Sequence, residues 1–235
     1  HPHTLERTKA DHTDMKPFIV HRGKVAVLDW TDVNTDLIIP ARYLKRIERT
    51  GYGPLLFADK KYVPGGAPPI DAPESHGALN AEFPLNRAAL QGATVLLVGK
   101  NFGCGSSREH AVWAIAQAGY RVLIAPGKNE GFADIFEGNA LNNGLLVIEV
   151  PEADWKRIAD AGGSGGVEAT VDLKTQTIVV HDGRAPETKV AFEIAETQRQ
   201  RLLQGLDAIS ETLQYEPDIR RYEQAAPDWL NAASS

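Results

Sequence analysis

ATVLLVGKNFGCGSSREHAVWAIAQAGYRVLIAP (Ala93–Pro126) sets two apolar runs on either side of a glycine-rich turn and an apolar-striped segment. ATVLLVG has the unbroken apolar character of a buried strand. Ala111, Val112, Ile115, Ala116 and Gly119 share one face of a helix over 107–119. RVLIAP predicts a second strand. GFADIFEGNALNNG (Gly131–Gly144) predicts a short helix with Phe132, Ile135, Phe136 and Leu141 on its apolar side, and LLVIEV (Leu145–Val150) a third strand. Strand, helix, strand, helix, strand within about 58 residues implies an α/β fold with a parallel sheet and right-handed crossovers.

The flanks are less regular. FIVHRGKVAVLD (Phe18–Asp29) reads as two short β runs split by a hairpin at Arg22-Gly23. DVNTDLIIPARYLKRIERTGYG (Asp32–Gly53) opens with turn formers, then carries an apolar triplet and a basic, helical-looking segment. Residues 59–80, rich in proline and glycine, predict a long loop. PEADWKRIADAG predicts a helix with Pro151 at its first position. GSGG (Gly163–Gly166) reads as a flexible joint. VEATVDLKTQTIVVHDG predicts an antiparallel hairpin, KVAFEI one more strand, and the remaining tail is helical.

Composition narrows the function. The chain has 235 residues and a formal charge of −6, which disfavours nucleic acid. No apolar run reaches the roughly 18 residues of a membrane span. Cys104 is the single cysteine. It excludes a disulfide framework, a structural zinc site and an iron–sulfur cluster held by this chain alone. No secretory leader is apparent, so the expected location is cytoplasmic. Residues 1–14 read as a disordered leader or tag ahead of Met15, with one domain over 15–235.

The glycine-rich turn admits three readings. A dinucleotide site is opposed by Arg108, which stands where helix–strand packing needs a small residue. It is also opposed by Ala125-Pro126, where an acid for the ribose is absent. Alternatively, Ser106-x-x-Glu109 forms a capping box, with Ser106 or Ser107 capping the helix. The third reading makes the turn half of an active site. A serine acts as a base only where positive potential and a dry pocket stabilise its alkoxide. The helix N-terminus and Arg108 both supply such potential, and Gly103 and Gly105 allow close approach to a ligand.

Asn101-Phe-Gly-Cys-Gly-Ser-Ser-Arg-Glu-His110, FADIF and NNGLL resemble the small-subunit signature of the aconitase/isopropylmalate dehydratase family. The resemblance extends to DVNTDLIIPARYL, RTG and LLQGLDAISETL, and covers roughly residues 18–230. It implies a swivelling β/β/α domain, with a central parallel sheet, helices and an antiparallel β layer, followed by a C-terminal helical extension. It implies a hydro-lyase of leucine biosynthesis that interconverts isopropylmalates through dehydration and rehydration. Its [4Fe–4S] cluster is expected on a large partner subunit, with no metal held by this chain.

Carried onto this sequence, Ser106 is the catalytic base, Ser107 a support or oxyanion donor, and Arg108 the ligand of a substrate carboxylate. Thr35 and Asp36 match the family's Asn-Thr-Asp turn. Ile38, Ile39 and Leu44 are expected against the branched end of the substrate, and Lys45 or Arg46 against its carboxylates; a solvated basic segment is the alternative for this stretch. Glu109 is expected as cap partner or salt bridge to Arg108, and His110 as an orienting hydrogen-bond partner. Cys104 is expected to pack. The chain departs from the family's Ser-Phe-Ala-Asp-Ile-Phe at Pro126–Gly131, where the serine is missing and a few residues are added. Related hydro-lyases acting on homoaconitate, citraconate or dimethylmaleate are rival readings, as is a nucleotide-binding regulatory subunit.

Overall fold

A computed structural model describes residues 15–106, 108–162, 165–206 and 221. Ser107, most of the tail and part of the GSGG joint lie outside the described residues. β1 (Val20–Leu28) organises the sheet. Its first half, Val20–Lys24, pairs antiparallel with β5 (Glu168–Asp172). Its second half, Val25–Leu28, pairs parallel with β2 (Val95–Val98). The expected hairpin at Arg22-Gly23 is therefore corrected to one continuous strand. A Cβ at Gly23 would lie 1.8 Å from Thr94 Oγ1. This glycine marks a close approach inside a strand, not a turn.

Two short helices follow β1: α1 (Thr35–Ile38) and α2 (Ala58–Lys61). The segment expected to be a basic helix is only a 3₁₀ turn, Ala41–Lys45. After β2 come α3 (Glu109–Gln117), β3 (Val122–Pro126), α4 (Asp134–Asn142), β4 (Leu146–Val150) and α5 (Glu152–Gly162). Then come β5, β6 (Thr177–His181), β7 (Thr188–Ala191) and α6 (Glu196–Gln204). The helical tail of the sequence reading is described over α6. The seven strands form one mixed sheet in the order β4-β3-β2-β1-β5-β6-β7, with β1 to β4 parallel and β5 to β7 antiparallel.

Burial explains the patterns. Every residue of β2 and β3 is buried, as expected of parallel strands covered on both faces. β5 and β6 alternate, with one face toward the core. α3 turns Ala111, Val112, Ala114 and Ile115 inward. α4 buries Phe136, Ala140 and Leu141, but Ile135 is 60% exposed. That corrects its expected place on the apolar side. Ile135 sits about 100° around the helix from Phe136, off the core-facing stripe. Pro151 stands one residue ahead of α5, and its carbonyl accepts the amides of Asp154 and Trp155, each at 2.9 Å.

The site is assembled where β1, β2 and β3 end. Gly103 N donates to Val33 O at 2.8 Å, and Asn101 N donates to Glu130 O at 2.8 Å. Isolated bridges join Asn34 to Cys104 and Phe102 to Phe132. The departure at 127–131 is held by the Glu149 carboxylate, which accepts amides from Asn129, Gly131 and Phe132. Three loops are thus stitched side by side at the carboxyl edge of the parallel strands, where α/β sheets place ligands.

Candidate active site

The glycine-rich turn owes its shape to two left-handed residues, Gly103 (φ +80°) and Gly105 (φ +89°). Their jobs differ. A Cβ on Gly103 would fall 2.2 Å from Phe136 Cγ, so the α4 ring occupies that space and not a ligand. Around Gly105 the nearest atoms are Asn34 Cβ at 3.6 Å and Thr35 Oγ1 at 4.0 Å. Its backbone opens onto a cavity of about 250 Å³ that Arg108 and Thr35 also line. Larger cavities exist, of about 820 and about 440 Å³, but neither is lined by residues of this turn.

Thr35 fixes the turn. It is 1% exposed, the one buried polar side chain of the core among the described residues. Its hydroxyl donates to Ser106 O at 2.7 Å, and its amide donates to Cys104 O at 3.0 Å. Asn34 caps α1, accepting Leu37 N on its side-chain oxygen at 2.8 Å. The Asn-Thr-Asp turn is therefore a clamp on the backbone of the Ser106 turn. Asp36 projects from the same short helix and pairs with Arg108 through Nη1. Arg108 is 19% exposed and Asp36 56% exposed by side chain. The carboxylate aims a largely enclosed guanidinium while leaving its other donors for a ligand.

Ser106 itself is exposed, and its side chain has no protein hydrogen bond among the described residues. The capping box is not formed. α3 begins at Glu109 with Arg108 as N-cap, and Arg108 makes no side-chain cap hydrogen bond; Ser107, the other expected cap, lies outside the described residues. Thr35 holds the Ser106 carbonyl and keeps the residue back from the cap position. Among the described residues no side chain caps the first amides of the helix, and the positive end of its dipole lies toward the turn. Glu109, expected as cap partner or as salt bridge to Arg108, instead accepts from Asn143 Nδ2 at 3.1 Å.

His110 packs its ring against Tyr52 and Trp113, with centroids 5.6 and 4.8 Å away. Among the described residues these edge-on and tilted ring contacts stand in place of the expected hydrogen bond. Burial lowers the His110 pKa, opposed by the Glu109 charge and helped by the Arg108 charge, which favours the neutral ring. Cys104 is half-buried in the turn, and its thiol pKa is raised, chiefly by burial and then by Asp32. A raised thiol pKa disfavours the thiolate form of Cys104. No group of three or more His, Cys, Asp or Glu able to hold a metal ion occurs among the described residues.

The more distant expectations scatter. Ile38 and Ile39 are fully buried in the core and Leu44 packs partly buried against it. Lys45 is exposed. Arg46 turns inward with its side chain 8% exposed. It donates to Ile70 O and, at 3.1 Å, to Thr50 O, and its guanidinium lies over the Tyr52 ring. Arg46 thus ties the 46–52 turn to the long loop and does not join Arg108. Ser107 lies outside the described residues. Sequence reasoning gave no place in the site to Ala133, Asp134, Ile135 and Phe136, which complete the cavity wall. The signal was the spacing of Phe132 and Phe136, which commits one face of α4 to the core and turns the neighbouring residues outward.

Comparisons with known proteins identify the family. A family model described as "Aconitase C-terminal domain" matches residues 15–153. A 3-isopropylmalate dehydratase small subunit from Desulforapulum autotrophicum is 44% identical over 224 residues, covering 92% of this chain and 99% of the relative. The small subunit from Bacillus subtilis is 42% identical, covering 93% of this chain and 100% of its own. A crystal structure of 3-isopropylmalate dehydratase from Methanocaldococcus jannaschii superposes with a TM-score of 0.55 at 26% identity, covering 87% of this chain and 99% of that one. The chain belongs to the small subunits of the 3-isopropylmalate dehydratases, within the aconitase C-terminal domain family.

Proposed function

We propose that this chain works with a larger subunit as a hydro-lyase that interconverts 2-isopropylmalate and 3-isopropylmalate in leucine biosynthesis. Its relatives carry the name of that enzyme's small subunit, which implies a second, larger chain. The carrying observation is an exposed Ser106, whose side chain makes no protein hydrogen bond among the described residues, near Arg108, whose side chain is only 19% exposed.

In this reading Ser106 Oγ removes the proton on the carbon next to a substrate carboxylate and returns it on the other carbon. Two features make that chemistry accessible. Arg108 binds the carboxylate and stabilises the serine alkoxide, and the first amides of α3 add positive potential. A preorganised donor at developing negative charge is worth about 3–4 kcal/mol. Asp36 holds Arg108 in place through one nitrogen. Thr35 fixes the main chain that carries Ser106.

One cysteine with a raised thiol pKa does not fit a four-iron cluster, which needs several thiolates. The Lewis acid for the leaving hydroxyl is accordingly assigned to an iron–sulfur cluster on the larger subunit. The test is co-purification with that subunit and assay of the pair on 2-isopropylmalate, homoaconitate and citraconate. The reading expects turnover of 2-isopropylmalate by the pair and none by this chain alone. Conversion by the isolated chain, or preference for another acid, would defeat it.

A further inference from the structure

We infer that Ile135, with Asp134 beside it, reads the third substituent of the substrate, accepting a branched alkyl group and rejecting a carboxylate. The inference rests on the isomerase reading above. That reading leaves open which side chains meet the apolar end of the substrate. The candidates drawn from the sequence are withdrawn from the cavity: Ile38 and Ile39 are 0% exposed and Leu44 is packed against the core.

The wall that Arg108 shares does contain an apolar side chain open to solvent. Ile135 lines the 250 Å³ cavity and is 60% exposed. Its exposure has a cause. Phe136 fills the space over Gly103, with no room for a Cβ between them. Phe132 stacks on Phe136 at 6.2 Å and 15°. With that face of α4 committed inward, Ile135 must project from the helix's first turn beside the cavity. A methyl-rich surface beside a carboxylate-binding Arg108 suits a ligand that is anionic at one end and hydrocarbon at the other.

Asp134 lines the same wall and is exposed. Its negative charge is tolerated by an alkyl branch and repels a carboxylate placed there. The two neighbours therefore act in the same direction, one by apolar contact and one by like charge.

Three acids share a 2-hydroxy dicarboxylate frame and differ at one substituent: 2-isopropylmalate, 2-methylmalate and citrate. Their dissociation constants are measured by calorimetry on the assembled complex carrying Ser106→Ala, so that turnover does not intrude. Ile135→Ala is expected to weaken 2-isopropylmalate about tenfold and 2-methylmalate less than about twofold. Asp134→Asn is expected to tighten citrate about fivefold relative to 2-isopropylmalate. Ile135→Leu, which keeps the apolar volume, is expected to retain binding. With Ser106 intact, Ile135→Ala should lower kcat/KM for 2-isopropylmalate in the same proportion. Equal loss on both alkyl acids, no loss on either, or loss of assembly overturns the inference. If the unmodified complex does not isomerise 2-isopropylmalate, the isomerase reading itself falls and this inference with it.

Discussion

Thr35→Val separates the clamp from its shape. Valine is nearly isosteric with threonine, so a residue 1% exposed is replaced without opening a void. What disappears is the 2.7 Å hydrogen bond from Thr35 Oγ1 to Ser106 O. Ser106 is exposed, so water can take over its carbonyl, and the cost stays near that of an ordinary bond, about 0.5–1.5 kcal/mol. For a domain of this size that lowers Tm by about 1–6 °C. The effect on rate should be far larger. The bond fixes the main chain beside the reacting hydroxyl, and a displacement of about 1 Å at a reacting group can cost about a hundredfold. The assay pairs thermal melting of the chain with steady-state kinetics of the reconstituted complex, and Thr35→Ser, which keeps the hydroxyl, serves as control. Expected are a small Tm shift and a drop in kcat of at least tenfold for the valine variant, with threonine-like behaviour for the serine variant. Full turnover in Thr35→Val with the same modest Tm shift would refute the reasoning that this clamp positions Ser106.

Gly103→Ala adds a methyl 2.2 Å from the Phe136 ring at φ +80°. Left-handed strain of about 1–2 kcal/mol and overpacking of about 1–3 kcal/mol should together lower the urea midpoint clearly; an unchanged midpoint contradicts the Gly103–Phe136 contact. Arg46→Met should lower Tm by several degrees, because it leaves Ile70 O and Thr50 O without their donor, while changing KM little. A large rise in KM at constant Tm would instead put Arg46 at the substrate. His110 and His21 both have pKa values lowered mainly by burial. The unfolded chain therefore binds more protons than the folded one below pH about 6.5, and their contribution to stability is lost as pH falls through that range. Melting from pH 8 to pH 5 should show a shallower decline in His110→Gln than in the native chain; an identical or steeper decline contradicts a buried neutral ring.

The parallel half of the fold was legible because period and length agree with burial. Four wholly buried residues in β2 and five in β3 read as unbroken apolar runs, and α3 shows its stripe. The place of the turn beside a cavity was legible, because glycine, hydroxyl and cation fall within a few residues. Contacts between distant segments were not. Arg22-Gly23 looks like a turn by composition, and only Thr94, some 70 residues away, explains the glycine. The capping box satisfied every local rule, yet Thr35 bonds the Ser106 carbonyl and α3 starts at Glu109. Arg46 read as a ligand of a substrate carboxylate or as a solvated cation, and only the loop carbonyl of Ile70 shows it turned inward. Ile135 looked like core because hydrophobicity alone does not say which side of a nine-residue helix faces the sheet.

Ser106→Ala in the complex with the larger subunit tests the central claim most directly. The account predicts normal assembly, an unchanged cluster absorbance and a loss of turnover of at least about a hundredfold, the ordinary weight of a general base. Turnover near that of the native complex would contradict it and leave Ser106 a surface serine on a well-built turn.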